Sequence, residues 1–142
     1  MKIRNFELLT IANILGSFGN KKMPQKISYA ITRCNMCLAN ELEYYNECLK
    51  NIISNYEPYI IKDNDGNPKL YPTGIPMVKK EYEKDYDKDV TDLLNIEIEV
   101  DIYTIDENCF NYDDSNNKYD VLSPIEITQL QQILCRRDDN GK

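Results

Sequence analysis

The sequence predicts a mainly helical α+β fold in which a long central helix carries a small antiparallel sheet and hairpin. Three patterns predict it. Apolar residues recur at steps of three or four from Ile27 to Tyr56, which is the spacing of one helix face. Apolar and polar residues alternate from Ile96 to Tyr103, which is the period of a half-buried strand. Asp65-Gly66 separates two β-rich arms, "YIIKDN" and "NPKLYPTG", in the manner of a hairpin turn.

Taken in order, "MKIRN" alternates Met1 and Ile3 with Lys2 and Arg4, a short strand signal. Asn5 is placed to cap the following helix through its side-chain carbonyl, and Glu7 suits the positive end of the helix dipole. Leu8, Ile11, Ala12, Leu15 and Phe18 form its apolar face, and Gly16, Gly19 and Asn20 end it. After Pro24 the stripe Ile27, Ile31, Cys34, Leu38, Leu42, Tyr45, Leu49, Ile52 and Tyr56 defines the long helix, which Pro58 stops. A helix of that length invites self-association into a homodimer, because its stripe outruns what one small domain covers. The hairpin around Asp65-Gly66 follows, with Pro68 and Pro72 confining its second arm to an edge.

Helical spacing returns from Ile75 to Asn95, with Val78, Tyr82, Tyr86, Val90 and Leu93 on one side. The strand after it places Ile96, Ile98, Val100 and Ile102 on a buried face and Glu97, Glu99, Asp101 and Tyr103 on the other. Pairing this strand with "MKIRN" sets Lys2 and Arg4 on the face of Glu97, Glu99 and Asp101, where opposite charges each contribute roughly 0.2–1 kcal/mol. "ENCFNYDDSNNKYD" reads as a polar surface loop. "LSPIEITQLQQIL" opens a last helix with Ser123 as cap, Pro124 at the first helical position and Glu126 closing a capping box. Arg136 and Arg137 suit its negative end. The 142 residues thus form one domain over 1–137, with 138–142 as a disordered tail.

Composition narrows the chemistry. No apolar run reaches the roughly 20 residues of a membrane span, no secretory leader is apparent, and the five cysteines show no disulfide spacing, so the expected location is a reducing cytoplasm. The sequence holds no histidine, which removes the commonest general base, proton shuttle and metal ligand, and no nucleophile elbow, phosphate loop or paired catalytic acids replace it. We expect no catalytic residues and no cofactor. Cys34-x-x-Cys37 lacks the second pair that a structural zinc requires. "DNDGN" fails as a calcium loop, because setting Gly66 at the invariant glycine puts Ile61 at the first ligand position and Pro72 at the last. No metal site is expected.

The net charge of −7 is unevenly spread. Residues 1–40 carry six Lys or Arg and one Glu, whereas residues 81–120 carry fourteen acids and three lysines. The second segment repels nucleic acid and attracts cationic protein surfaces. On a helix Glu81, Asp85, Asp89 and Asp92 fall in one row, with steps of about 6 Å from the rise of about 1.5 Å per residue. Together with Tyr82, Tyr86, Glu97, Glu99 and Asp101 they form the candidate partner-binding surface. DNA spaces its charges about 3.4 Å apart per strand, so imitation of a duplex requires row and strand to combine.

In their order, "KIRNFELLTIANIL", the long helix, "DNDGNPKL", "DLLNIEIEVDI" and "LSPIEITQLQQIL" resemble a family of small proteins, with no assigned activity, encoded by bacteriophages and prophages of Gram-positive bacteria. The resemblance carries no catalytic residues. It implies an accessory protein acting in the host cytoplasm, whose acidic surface binds and inhibits a host factor, such as a nucleic-acid-binding defence enzyme, that offers a basic surface or groove. The alternative is a virion-assembly or tail-associated component.

Overall fold

The computed structural model describes residues 1–135; the expected tail at 138–142 and the two arginines at 136 and 137 lie outside the described residues. The architecture is the expected mainly helical α+β one. In chain order it comprises β1 (Lys2–Arg4), α1 (Asn5–Gly16), α2 (Gln25–Asn55), α3 (Glu83–Leu94), β2 (Glu97–Glu99) and α4 (Pro124–Leu134), with short 3-10 turns between them. The chain divides into two compact units, one formed by residues 1–42 with 97–142 and the other by Glu43–Ile96.

In the first unit β1 and β2 pair antiparallel, with Lys2 opposite Glu99, Ile3 opposite Ile98 and Arg4 opposite Glu97. This is the pairing that the charge pattern predicts. Ile3 is buried and both flanking cations are exposed, so the period of two sorts the side chains as the sequence requires. α1 buries Leu8, Ile11 and Leu15, which are spaced at i, i+3 and i+7. These meet Ile27, Ile31, Cys34 and Leu38 of α2 and Leu130, Ile133 and Leu134 of α4 in one core. Each such side chain taken fully out of water contributes roughly 1.5–3 kcal/mol, enough for these helices to hold a two-stranded ribbon that would be marginal alone.

The ends of α1 and α4 are closed in different ways. Asn5 does not cap α1. It is the first helical residue and is buried, while the Arg4 backbone N–H donates to Glu7 Oε1 at 3.1 Å. The capping box of α4 is as expected: Glu126 N–H donates to Ser123 Oγ at 3.2 Å and Ser123 N–H to Glu126 Oε1 at 2.9 Å. Lys21 Nζ adds an ion pair to Glu126 at 3.3 Å, and hydrogen bonding to Ser123 and Lys21 holds the Glu126 carboxyl below the usual range. The segment expected to be a free surface loop is partly structural. Cys109, Phe110 and Tyr112 pack against the core after a 3-10 turn at Glu107–Phe110 that Asp106 caps.

The second unit has a smaller core around Ile60, Val78 and Tyr86, flanked by Ile52, Ile53, Tyr56 and Tyr71. Its hairpin differs from the expected one in two ways. Of the pair Asp65-Gly66 only Gly66 has a positive φ, 81°, and the turn closes from Asp63 to Gly66, with Asp63 Oδ1 also accepting from Asp65 N and Asn67 N. The chain then folds back a third time. Ile61 N donates to Met77 O at 2.9 Å, Met77 N to Lys69 O at 2.7 Å and Lys69 N to Ile61 O at 2.9 Å. Three extended arms thereby close a ring of backbone hydrogen bonds and leave none of these three amides unpaired. Because residues 75–79 form the third arm, α3 begins at Glu83 after a 3-10 turn at Lys80–Tyr82, and the helix is shorter than the expected span of 75–95.

Candidate functional site

α3 is built on a stripe. Tyr86, Val90 and Leu93, at i, i+4 and i+7, are its buried residues, and the acids occupy the remaining surface. Glu83 and Asp85 lie in the first turn, where the helix dipole stabilises negative charge. Asp85, Asp89 and Asp92 run along one exposed flank at steps of four and three residues, or about 6 and 4.5 Å from the helical rise. Glu81 is exposed but belongs to the preceding 3-10 turn, so the helical row holds three acids where the sequence predicts four.

The three have different partners. Asp92 Oδ2 lies 2.8 Å from Lys88 Nζ, an i, i+4 pair. Asp89 Oδ2 accepts from the Tyr56 hydroxyl at 2.8 Å, and this bond is the main reason that the Tyr56 phenol is pushed up to about 12. Among the described residues neither Asp85 nor Glu81 makes an ion pair. Asp89 therefore ties α3 to the end of α2, whereas Asp85 makes no hydrogen bond or ion pair among the described residues and acts on Tyr56 and Lys88 only through space.

The tyrosines expected at a docking surface are placed otherwise. Tyr86 is 2% exposed and belongs to the core. Its ring meets Tyr56 edge-on, with centroids 5.0 Å apart, and lies 6.4 Å from that of Tyr71. Burial drives its phenol pKa upward, and its buried hydroxyl has no hydrogen-bond partner among the described residues. Tyr82 is half-buried and stacks on Tyr59, with centroids 3.8 Å apart and ring planes 18° from parallel. Tyr71, expected in a loose hairpin arm, donates to Glu83 Oε1 at 3.3 Å. The signal that could have found it is the clustering of tyrosines at 56, 59, 71, 82 and 86 in a chain without tryptophan.

Glu97, Glu99 and Asp101 belong to the first unit and the α3 row to the second. Glu99 lies 2.7 Å from the Met1 amino group, and that bond, with Lys2 beyond it, holds its carboxyl below the usual range. Glu97 faces Arg4 in register. Asp101 is exposed just past the strand. Of the strand acids, Glu99 is thus paired with a cation of its own chain and Glu97 stands in register with one.

Cys34 and Cys37 do not converge: the first is buried and the second exposed on the same helix, and burial raises the Cys34 thiol pKa. Among the described residues no group of three or more His, Cys, Asp or Glu could hold a metal ion, and no helix is long and apolar enough to cross a membrane. No protein-family model, curated protein or solved structure matches the chain.

Proposed function

We propose that this protein works by binding, without making or breaking bonds, and that α3 with the turn before it is the surface it presents to a cationic partner. One observation carries this reading. Glu81 and Asp85 are exposed and lack an ion pair among the described residues, while Glu99, of the same charge and on the strand, is matched within the chain. Unmatched surface charge steers association with an oppositely charged surface and weakens as salt rises. Such a protein agrees with a phage-encoded inhibitor of a host factor that offers a basic groove.

A second reading, a structural component of a virion, is favoured by the exposed Tyr29, Met36 and Tyr44 on α2, since assembly proteins need apolar contact surfaces.

The test is affinity capture from a Gram-positive host lysate with the wild type and with Glu81→Lys/Asp85→Lys, using Glu97→Lys as the control for net charge. The expected result is a retained protein that elutes at moderate salt, is lost with the α3 variant and persists with the control. Equal retention by both variants, each folded by circular dichroism, would exclude α3 as the surface.

A further inference from the structure

Among the five free cysteines, Cys109 and Cys135 stand apart. Both belong to the first unit and both are half-buried, whereas Cys34 is buried and Cys37 and Cys48 are exposed. They lie 26 positions apart in the chain, and the fold brings their segments together.

The Ile105 N–H donates to Leu134 O at 2.8 Å, which fixes the chain before Cys109 against the last turn of α4, and Cys135 is the residue after Leu134. From Ile105 the backbone turns back at once. Asp106 Oδ1 accepts from Asn108 N at 2.8 Å, and Cys109 N donates to Asp106 O at 3.0 Å. A turn closed in this way holds its first and last Cα atoms within about 7 Å, so Cys109 stays close to the Ile105–Leu134 bond. A disulfide spans Cα separations of that same scale, up to about 7 Å. Cys135 N donates to Gln131 O at 2.9 Å, which holds the second thiol at the end of the helix. The two sites also act on each other through space: burial is the main cause that pushes the Cys135 thiol up, and Glu107, Cys109 and Asp106 add to it. Neither cysteine sits in the middle of a helix, so each backbone can give slightly when a bond closes between them.

We propose that Cys109 and Cys135 form a two-thiol redox site, which a low-molecular-weight disulfide converts to an intramolecular disulfide tying the turn at Glu107–Phe110 to the end of α4. The Cys109 thiolate attacks one sulfur of the reagent, forming a mixed disulfide and expelling a thiolate. The Cys135 thiolate then attacks the Cys109 sulfur and expels the second thiolate. The protein gives up two electrons and the two thiol protons, and the reagent is reduced to two thiols that take those protons up. Asp106 and Glu107 beside the pair favour a cationic reagent. The site lies in the first unit and is independent of the role of α3.

The probe is cystamine, a dicationic disulfide, applied to the folded full chain and followed by tryptic mapping without reducing agent; cleavage after Lys118 separates the two cysteines. The Cys109 and Cys135 peptides should appear joined as the predominant linked pair, while the exposed Cys37 and Cys48 carry cysteamine as mixed disulfides. In urea the same treatment should favour cysteines nearer in the chain, such as Cys34 with Cys37, because shorter loops close at lower entropic cost. Cys109→Ser should abolish the native link and leave Cys135 with cysteamine or unreacted. Cysteamine held on Cys109 and Cys135 with no link between them, a different predominant pair in the folded chain, reaction at neither thiol, or the Cys109–Cys135 pair predominating in urea as well would overturn the proposal.

Discussion

Glu97 and Glu99 on β2 face Arg4 and Lys2 across a strand pair, whereas Asp85, Asp89 and Asp92 on α3 face one another along a helix. The residues are chemically alike and close in sequence. What separates them is the period of the backbone beneath. A strand sends every second side chain to one face and offers each a partner on the next strand, so acids spaced by two meet cations spaced by two. A helix brings residues three and four apart together, so acids at 85, 89 and 92 become one another's neighbours, with Lys88 alone among them to answer. Density of charge in a segment is therefore a poor guide to an available anionic surface; the element that carries it decides.

The most disruptive way to break this contrast is to remove what holds α3 in place. Tyr86→Ala should lower stability by about 3–5 kcal/mol in urea denaturation, because it empties a site buried between Tyr56 and Tyr71. Tyr86→Phe should leave stability unchanged or raise it slightly, since the hydroxyl it deletes has no partner among the described residues. A large loss with Phe would mean that the hydroxyl is bonded after all.

Reversing a strand cation is the next largest test. Arg4→Glu places like charges opposite each other and should destabilise the first unit by about 0.2–1 kcal/mol, with Arg4→Glu/Glu97→Arg returning most of it. Neutralising an acid on the helix should matter less. Asp85→Asn removes repulsion from Asp89, about 0.2–0.5 kcal/mol, but also a favourable first-turn charge of similar size, so stability should change by less than about 0.5 kcal/mol in either direction. Were Asp85→Asn as destabilising as the larger values expected for Arg4→Glu, with rescue by Glu97→Arg absent, the distinction between a matched and an unmatched acidic group would fail.

The same contrast explains what could be read from the sequence. The β1–β2 pairing, the α4 capping box and the buried stripe of α2 were legible because each depends on residues a fixed number of positions apart or on one complementary charge pattern. The start of α3 was not. Val78, Tyr82 and Tyr86 are spaced by four, which suits a helix, yet four is also an even number and lets Val78 be a buried residue of an extended arm. The ring joining Ile61, Lys69 and Met77 is made by backbone groups, and backbone bonding leaves no mark on side-chain pattern. The candidate site was half legible: the acids of α3 are exposed as read, but no spacing rule announces that Asp89 will be held by a tyrosine from another helix.

That last contact sets the smallest effect, since it is silent near neutral pH. Hydrogen bonding to Asp89 pushes the Tyr56 phenol up to about 12, from a model-compound value of 10.0. A raised folded-state pKa means that the contribution to stability is fully present below the unfolded value and is lost as pH climbs through the folded one. Titration of tyrosinate absorbance should therefore show one phenol ionising late, and Asp89→Asn should move it back toward 10.0. Asp85→Asn, by contrast, should leave that phenol close to its place, because Asp85 acts on Tyr56 only weakly and through space. If both variants moved it equally, the bond would not single out Asp89, and Asp89 would rejoin Asp85 as an acid available to a partner.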